Sequence, residues 1–287
     1  MINFLKFRWL YFLISSLIIG AGIFSMVRWG FRYSIDFVGG TNLEYQINKD
    51  LDIKEMKKIF EKNKAEVISL SKNAKTYLLR TKPLDEKKEL AIRKNLENKT
   101  NAKVTILRFE TVGPIIGKET IRKTILASIL AIIGILLYMS FAFKSFYFAL
   151  SAVLALIHDF LVVVGTYSLF SHFFNAEVDL LFVTALLTTM SFSVHDTIVI
   201  FDKIREYGTS DKTEIDFYAN KALTETLVRS LNNSMTIIFM LLALILLGGS
   251  TIRFFILALL VGTISGTYSS PFVATPILVW LTKKSSK

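Results

Sequence analysis

The sequence predicts an α-helical membrane protein with six spanning segments and one α+β domain set between the first and the second. Three observations carry that expectation. Hydrophobic residues make up 52% of the 287, and the mean hydropathy of +0.49 is too high for an average soluble domain. The apolar residues gather in six runs, at about 9–27, 124–142, 146–170, 179–201, 234–248 and 254–281. Each is near or above the length that crosses roughly 30 Å of hydrocarbon at about 1.5 Å per residue. The stretch between the first two runs, about 29–122, is charged and carries the mixed periodicities of strands and helices.

Lys6 and Arg8 precede the first run, which a cleavable signal peptide would also explain. The run has the length of a full span, no clear small-x-small cleavage site follows it, and Arg28, Trp29 and Arg32 come next. An uncleaved first helix is expected. Residues 42–47 alternate as a strand. A helix is expected over 52–64, capped by Asp52, with Ile53, Met56, Ile59 and Phe60 on its apolar face. Residues 66–70 and 76–81 read as a hairpin around Lys72-Asn73-Ala74. After the break at Pro83, a second helix over 85–99 carries Leu90, Ile92 and Leu96, and a last strand over 103–109 carries Val104, Ile106 and Leu107. The order β-α-β-β-α-β is that of a ferredoxin-like split βαβ unit. Among the later runs the fifth is the shortest, and Pro271 and Pro276 predict a kink or tilt in the sixth.

Lys6, Arg8, Lys144, Lys203, Arg205, Lys212, Lys221, Arg229, Lys283, Lys284 and Lys287 all fall on one side if the spans alternate. The opposite short loops offer Arg253 and His172. The positive-inside rule therefore places both termini in the cytoplasm and the charged domain outside. The expected organisation is a cytoplasmic N-terminus and first helix (1–28), an extracytoplasmic domain (29–122) and a five-helix bundle (123–287) with a cytoplasmic loop at 203–230. The net charge of +11 fits anionic lipid headgroups, and no basic stretch is interleaved with a nucleic-acid reading motif. Cysteine is absent, which excludes disulfides and thiolate metal sites. There is no P-loop and no nucleophile elbow, so an enzyme is not expected, and neither is a cofactor.

The chemistry that remains is titratable. Asp196 lies about five residues from the inner end of the fourth run, at a depth where an ionised carboxylate is costly unless paired, hydrated or protonated. His195 precedes it, and Thr188, Thr189, Ser191 and Ser193 give the same helix a wettable approach. His158 and Asp159 lie near the middle of the third run. Arg229, just before the fifth run, has the reach to pair with Asp196. A carboxylate that alternates between a proton and a cation can couple protonation to helix movement, because burial favours its neutral form and a guanidinium its ionised form. Arginine stays charged and imidazole titrates near neutrality. Static interhelical pairing is the competing reading for each acid, and a satisfied buried histidine for each imidazole. Adjacent His-Asp steps do not suit metal ligation from one helix face, so no metal site is expected. Asp202-Lys203-Ile204-Arg205-Glu206 reads as the anchoring end of a helix, and Gly262-Thr263-Ile264-Ser265-Gly266, with Ser269 and Ser270 beyond, as a GxxxG-like packing face. Gly39-Gly40 marks a turn, and Gly113, Pro114 and Gly117 punctuate the return to the membrane.

Several of these segments together resemble the SecD/SecF family of protein-export membrane subunits, on its SecF side. They are Ser34-Ile35-Asp36-Phe37-Val38-Gly39-Gly40-Thr41, Val112-Gly113-Pro114-Ile115-Ile116-Gly117, Ala155-Leu156-Ile157-His158-Asp159, the run from Ser193 to Glu206 with Asp202 and Arg205, and Arg229-Ser230-Leu231-Asn232-Asn233-Ser234. The resemblance covers nearly the whole chain in order. It implies half of a resistance-nodulation-division-type transporter in the bacterial plasma membrane, paired with SecD, working beside the SecYEG channel and with YajC on exported unfolded chains. It also implies use of the proton-motive force through the intramembrane Asp and Arg, here Asp196 and Arg229. His195 stands where many members of the family carry Asn, and a Na⁺-coupled variant stays open. Two other classes remain: a non-conducting scaffold of a channel complex, and a half-size small-molecule exporter working as a homodimer.

Overall fold

The computed structural model describes residues 3–73, 75–143, 145–207 and 215–285, so Ala74, Lys144, Lys212 and Lys287 lie outside the described residues. The chain divides into two compact units, Tyr33–Ile125 and the remainder, Met1–Arg32 with Leu126–Lys287.

Six helices are long and apolar enough to cross a membrane: Phe4–Arg28, Pro114–Phe141, Phe146–Phe174, Leu180–Tyr207, Ile215–Leu247 and Arg253–Lys284. This is a multi-pass membrane protein. Three expected boundaries need correction. The second helix starts at Pro114, ten residues before its apolar run, because proline suits a first helical position and Lys118, Glu119, Arg122 and Lys123 form polar turns beyond it. The stretch 203–230, expected as a loop, is helical up to Tyr207 and again from Ile215. The early turns of the fifth helix carry Asp216, Lys221 and Glu225, yet Ile215, Ala219, Ala222 and Leu223 are buried, an amphipathic face that an average over all residues hides. The sixth helix answers its prolines with a π-helical turn at Ser270–Ala274, followed by a helix over Thr275–Ser285. Pro271 has no N–H to donate and its ring crowds the preceding turn, and the wider turn relieves both.

Small residues set how closely the helices approach. Gly22 and Gly165 bring the first and third helices so near that a Cβ on either would lie 2.7 Å from the other's Cα. Ser25 and Ser168, one turn further along each helix, share a 2.8 Å hydroxyl contact. Gly262 and Gly266 of the sixth helix do the same against the fourth, where added Cβ atoms would fall 2.4 Å from Thr189 Cβ and 2.9 Å from Ser193 Cβ. The apolar core of this unit joins Met139, Phe143, Leu156, Met190, Ile200, Phe201, Leu223 and Leu278.

The other unit is a four-stranded antiparallel sheet with two helices. The strands are Gly40–Ile47, Val67–Asn73, Thr76–Thr81 and Val104–Val112, and their order across the sheet is second, third, first, fourth. Leu43, Tyr45 and Ile47 alternate inward on the central first strand. The helices, Ile53–Lys62 and Glu86–Thr100, are capped by Asp52 and Asp85, whose carboxylates accept from Lys54 N at 3.1 Å and Lys88 N at 2.7 Å. Met56, Ile59 and Phe60 are buried, whereas Ile53 is exposed. In the second helix Ile92 and Leu96 face the core but Leu90 does not. Its place on that face is taken by Glu89, at the i−3 position from Ile92, which sequence patterning assigns to the surface.

Candidate functional site

Adjacent helical residues point about 100° apart, and His158 and Asp159 use that angle to serve different neighbours. Asp159 is 3% exposed and turns toward the fourth and sixth helices. Its Oδ1 accepts from Ser265 Oγ at 2.6 Å, and its Oδ2 from Ser193 Oγ at 2.5 Å and Ser269 Oγ at 2.6 Å. His158 turns toward the first helix, with Nε2 2.9 Å from Ser15 Oγ, while its Nδ1 lies 3.0 Å from Asp159 Oδ1. Ser265 and Ser269 share a face because they are four residues apart. Ser193 reaches the carboxylate because Gly266, with no Cβ, lies against it. One dyad thus ties four helices through hydroxyls.

Asp196 lies on the turn after Ser193 and is also 3% exposed. It accepts from Ser230 Oγ at 2.8 Å on the fifth helix. Thr197 continues the seam with a 2.8 Å hydroxyl contact to Ser270, and Thr267 donates to Ser234 at 2.7 Å. Among the described residues Asp196 and Arg229 form no ion pair. Arg229, the neighbour of Ser230, is exposed and lines an open groove of about 470 Å³ with Asp202, Lys203, Glu206 and Glu225. His195 is exposed. Asp202 pairs with Arg205 at 2.9 Å and Lys203 with Glu206 at 2.9 Å, both along the helix end. Of the expected set, the structure joins His158 to Asp159, sets Arg229 one residue from Asp196's partner, and leaves His195 out of both clusters. Among the described residues no group of three His, Asp or Glu is placed to hold a metal.

The glycine motifs meet in the other unit. Ser34 Oγ accepts from Asp36 N at 3.2 Å and starts a one-turn helix, Ile35–Val38, that buries Phe37. Gly39 and Gly40 follow with φ of +76° and +131°, where L side chains are strained. A Cβ on Gly39 would lie 2.9 Å from Pro114 Cα, and one on Gly117 would lie 2.8 Å from Phe37 O. The segments around 34–41 and 113–117 therefore interlock, backbone against backbone. Asp36 is half-buried, and with Glu110 and Glu44 it helps hold the Arg108 guanidinium above its usual range, Glu110 acting most strongly at 2.6 Å.

Comparison with known proteins bears on this arrangement. The profile of the family described as "Protein export membrane protein SecD/SecF, C-terminal" matches residues 92–284, and the "SecD/SecF GG Motif" matches 24–50. The chain belongs to the SecD/SecF family. Among relatives named protein translocase subunit SecF, that of Thermobaculum terrenum is 40% identical over 97% of this chain and 93% of its own length, and that of Anaerolinea thermophila 38% identical over 97% and 94%. The crystal structure of SecDF from Thermus thermophilus, described as a translocon-associated membrane protein, superposes with a TM-score of 0.84 at 31% identity. The match covers 98% of this chain and 39% of that longer one. The GG-motif match contains the Asp36–Gly40 turn, and the longer SecD/SecF match contains Asp159, Asp196 and Arg229. Sequence reading missed the serines as ligands of Asp159. Ser265 and Ser269 stood in a run that reads as packing, and Ser193 as a wettable approach. Ser15 was legible only as part of a small-residue stripe with Gly22 and Ser25, at spacings of seven and three.

Proposed function

We propose that the chain is a membrane subunit of the Sec protein translocase. It uses the proton-motive force to assist late translocation of unfolded polypeptides across the bacterial plasma (inner) membrane, and it is not an enzyme. Its partners in this reading are SecD, the SecYEG channel and YajC. Both termini are cytoplasmic, and the unit after the first helix, about 29–122, is an extracytoplasmic ferredoxin-like domain. The β-α-β-β-α-β order and the strand order of its sheet support that fold. The names of the SecF relatives and the SecDF likeness support the pathway and the partner.

The observation that carries the proton-coupled part is the position of Asp196. Its carboxylate is buried and is held by the neutral hydroxyl of Ser230, whose neighbour in the chain is the permanently charged Arg229 in an open groove. A small shift of the fifth helix against the fourth would exchange the Ser230 contact for the guanidinium. The exchange would release a proton on one side and require one on the other. Asp196→Asn keeps the size and removes the proton site. In membrane vesicles with the complex intact, this variant is expected to lose the gradient-dependent increment of export while keeping the gradient-independent part. Unchanged stimulation in D196N would sink the proposal.

A non-conducting scaffold is the second reading, and the saturated hydrogen bonding of Asp159 favours it. Such a chain would keep normal export in D196N as long as the complex assembles.

A further inference from the structure

We infer that Asp159 is a proton-controlled latch, positioned by Ser193, Ser265 and Ser269, that holds the fourth and sixth helices to the third while its carboxylate is ionised. The inference rests on the proton-coupled reading above and adds a second group to it.

The argument is one of donors and acceptors. An ionised carboxylate only accepts, and its two oxygens offer about four lone-pair sites. Here three hydroxyls address the two oxygens, Ser265 on Oδ1 and Ser193 and Ser269 on Oδ2, and His158 Nδ1 lies 3.0 Å from Oδ1 and adds a fourth donor in the tautomer that carries its proton there. All three hydroxyls lie within hydrogen-bond distance of a carboxylate oxygen, at 2.5–2.6 Å. A proton that arrives on either oxygen turns an acceptor into a donor, so a hydroxyl on that oxygen must either turn round to accept or leave. Ser269 has a second acceptor to turn to, the carbonyl of Gly266 at 3.3 Å. Two of the three hydroxyls belong to the sixth helix, and Ser269 sits directly before the π-helical turn at Ser270–Ala274, with Ser265 one turn earlier. There Pro271 has already removed one backbone hydrogen bond, so release of Ser269 acts where the helix is least tied.

The titratable groups around the carboxylate come from each packed helix. His158 is on its own helix. Tyr268 of the sixth has its ring 6.3 Å from the His158 ring, and its hydroxyl donates to the carbonyl of Tyr11 on the first helix. Asp196 follows Ser193 on the fourth. Among the described residues no Lys or Arg pairs with Asp159, so a proton on the carboxylate, or one shared with His158, is the charge change available to it.

The test uses the whole complex in lipid nanodiscs. The chain has no cysteine, so Ser191→Cys and Ile264→Cys, both at exposed positions on the fourth and sixth helices, take spin labels on this chain at those two places alone. Acidification is expected to shift the label-to-label distance distribution to a second population. Asp159→Asn, which cannot ionise, is expected to show that second population already under mildly alkaline conditions. A protonated-carboxyl C=O band in the infrared difference spectrum should appear on acidification and be lost in D159N. In Ser269→Ala the band should shift in frequency, an effect that loss of packing alone would not produce. Should D159N fail to assemble, the wild-type band and its shift in S269A decide the matter. Asp196→Asn should leave all of this intact, so a harmless D196N with a working latch would sink proton coupling through Asp196 and spare the latch. A distance distribution unmoved by acid, with no band that responds to S269A, overturns the latch.

Discussion

Each unit buries an acid, and the two are held in different ways. Glu89, in the sheet-and-helix unit, accepts from the Tyr45 hydroxyl at 2.8 Å and lies 3.3 Å from the Arg93 guanidinium one turn along its own helix. Arg93 is part-exposed, so its charge is shared with water. Asp159, in the membrane unit, is as deeply buried but has three serines and an imidazole in place of a permanent cation. The difference follows from the two solvents. A cation beside Glu89 can still reach water, whereas Lys or Arg at the centre of a spanning helix costs about 2.5–3.5 kcal/mol even on the lenient insertion scale. Where a permanent cation is that costly, hydroxyls and an imidazole hold the acid in its place. The acid with a cation is held by charge, and the one without is held by hydrogen bonds alone.

Removing each acid tests the contrast most strongly. Asp159→Ala strands three hydroxyls and an imidazole between helices. At about 0.6 kcal/mol for a typical interhelical hydrogen bond and up to about 1.7 for the best, plus a cavity, the bundle should lose about 2–4 kcal/mol. Glu89→Ala frees one tyrosine hydroxyl and leaves an arginine that can turn to water, so its cost is about 1–2 kcal/mol. Trp9, Trp29 and Trp280 all lie in the membrane unit, so their emission during titration with a denaturing detergent follows the bundle. Pulse proteolysis in urea follows the other unit. Equal losses in the two would break the comparison.

A smaller effect sharpens it. Gly266→Ala adds a Cβ 2.9 Å from Ser193 Cβ, and overpacking of this kind costs about 1–3 kcal/mol. Its more telling consequence is chemical: it should push Ser193 off Asp159 Oδ2 and shift the protonated-carboxyl infrared band, as loss of Ser269 from the same oxygen does. Ser193→Gly in the same chain should restore the fold but not the hydrogen bond.

These residues also mark how far the sequence was legible. The spans, the Asp52 cap and the strand and helix order follow from local patterns, because each element contains its own. Glu89 and Leu90 exchanged places because a charged residue can occupy a core face once it has partners, and its hydrogen-bond donor, Tyr45, lies 44 residues away in the sequence. The helical start of the fifth span escaped for a related reason: Ile215, Ala219, Ala222 and Leu223 form a stripe inside a segment whose average is polar. At the site, Asp159 and Asp196 stood out because an acid among apolar residues is conspicuous. Their serine partners did not, since Ser and Gly at four-residue spacing read equally well as close packing. The structure makes them both: Gly262 and Gly266 bring the helices together, and Ser265 and Ser269 use the proximity.

The smallest expected effect belongs to the cation-paired acid. Burial first, and then the charge of Glu89 and its hydrogen bond, push the Tyr45 phenol far above its usual value near 10, with Arg93 opposing. A phenol raised in the folded state keeps its proton there while the unfolded chain gives it up. The folded unit therefore binds more protons than the unfolded one above about pH 10, and its stability must fall as pH rises through that range. Below it the contribution is fully present. Tyr45→Phe removes the titrating group, so the alkaline fall should flatten, and it leaves Glu89 short of one donor at about 1 kcal/mol. Urea midpoints of the sheet-and-helix unit, read by pulse proteolysis of the whole chain from neutral to alkaline pH, measure both effects. An alkaline fall as steep in Y45F as in the wild type would mean that other groups carry it.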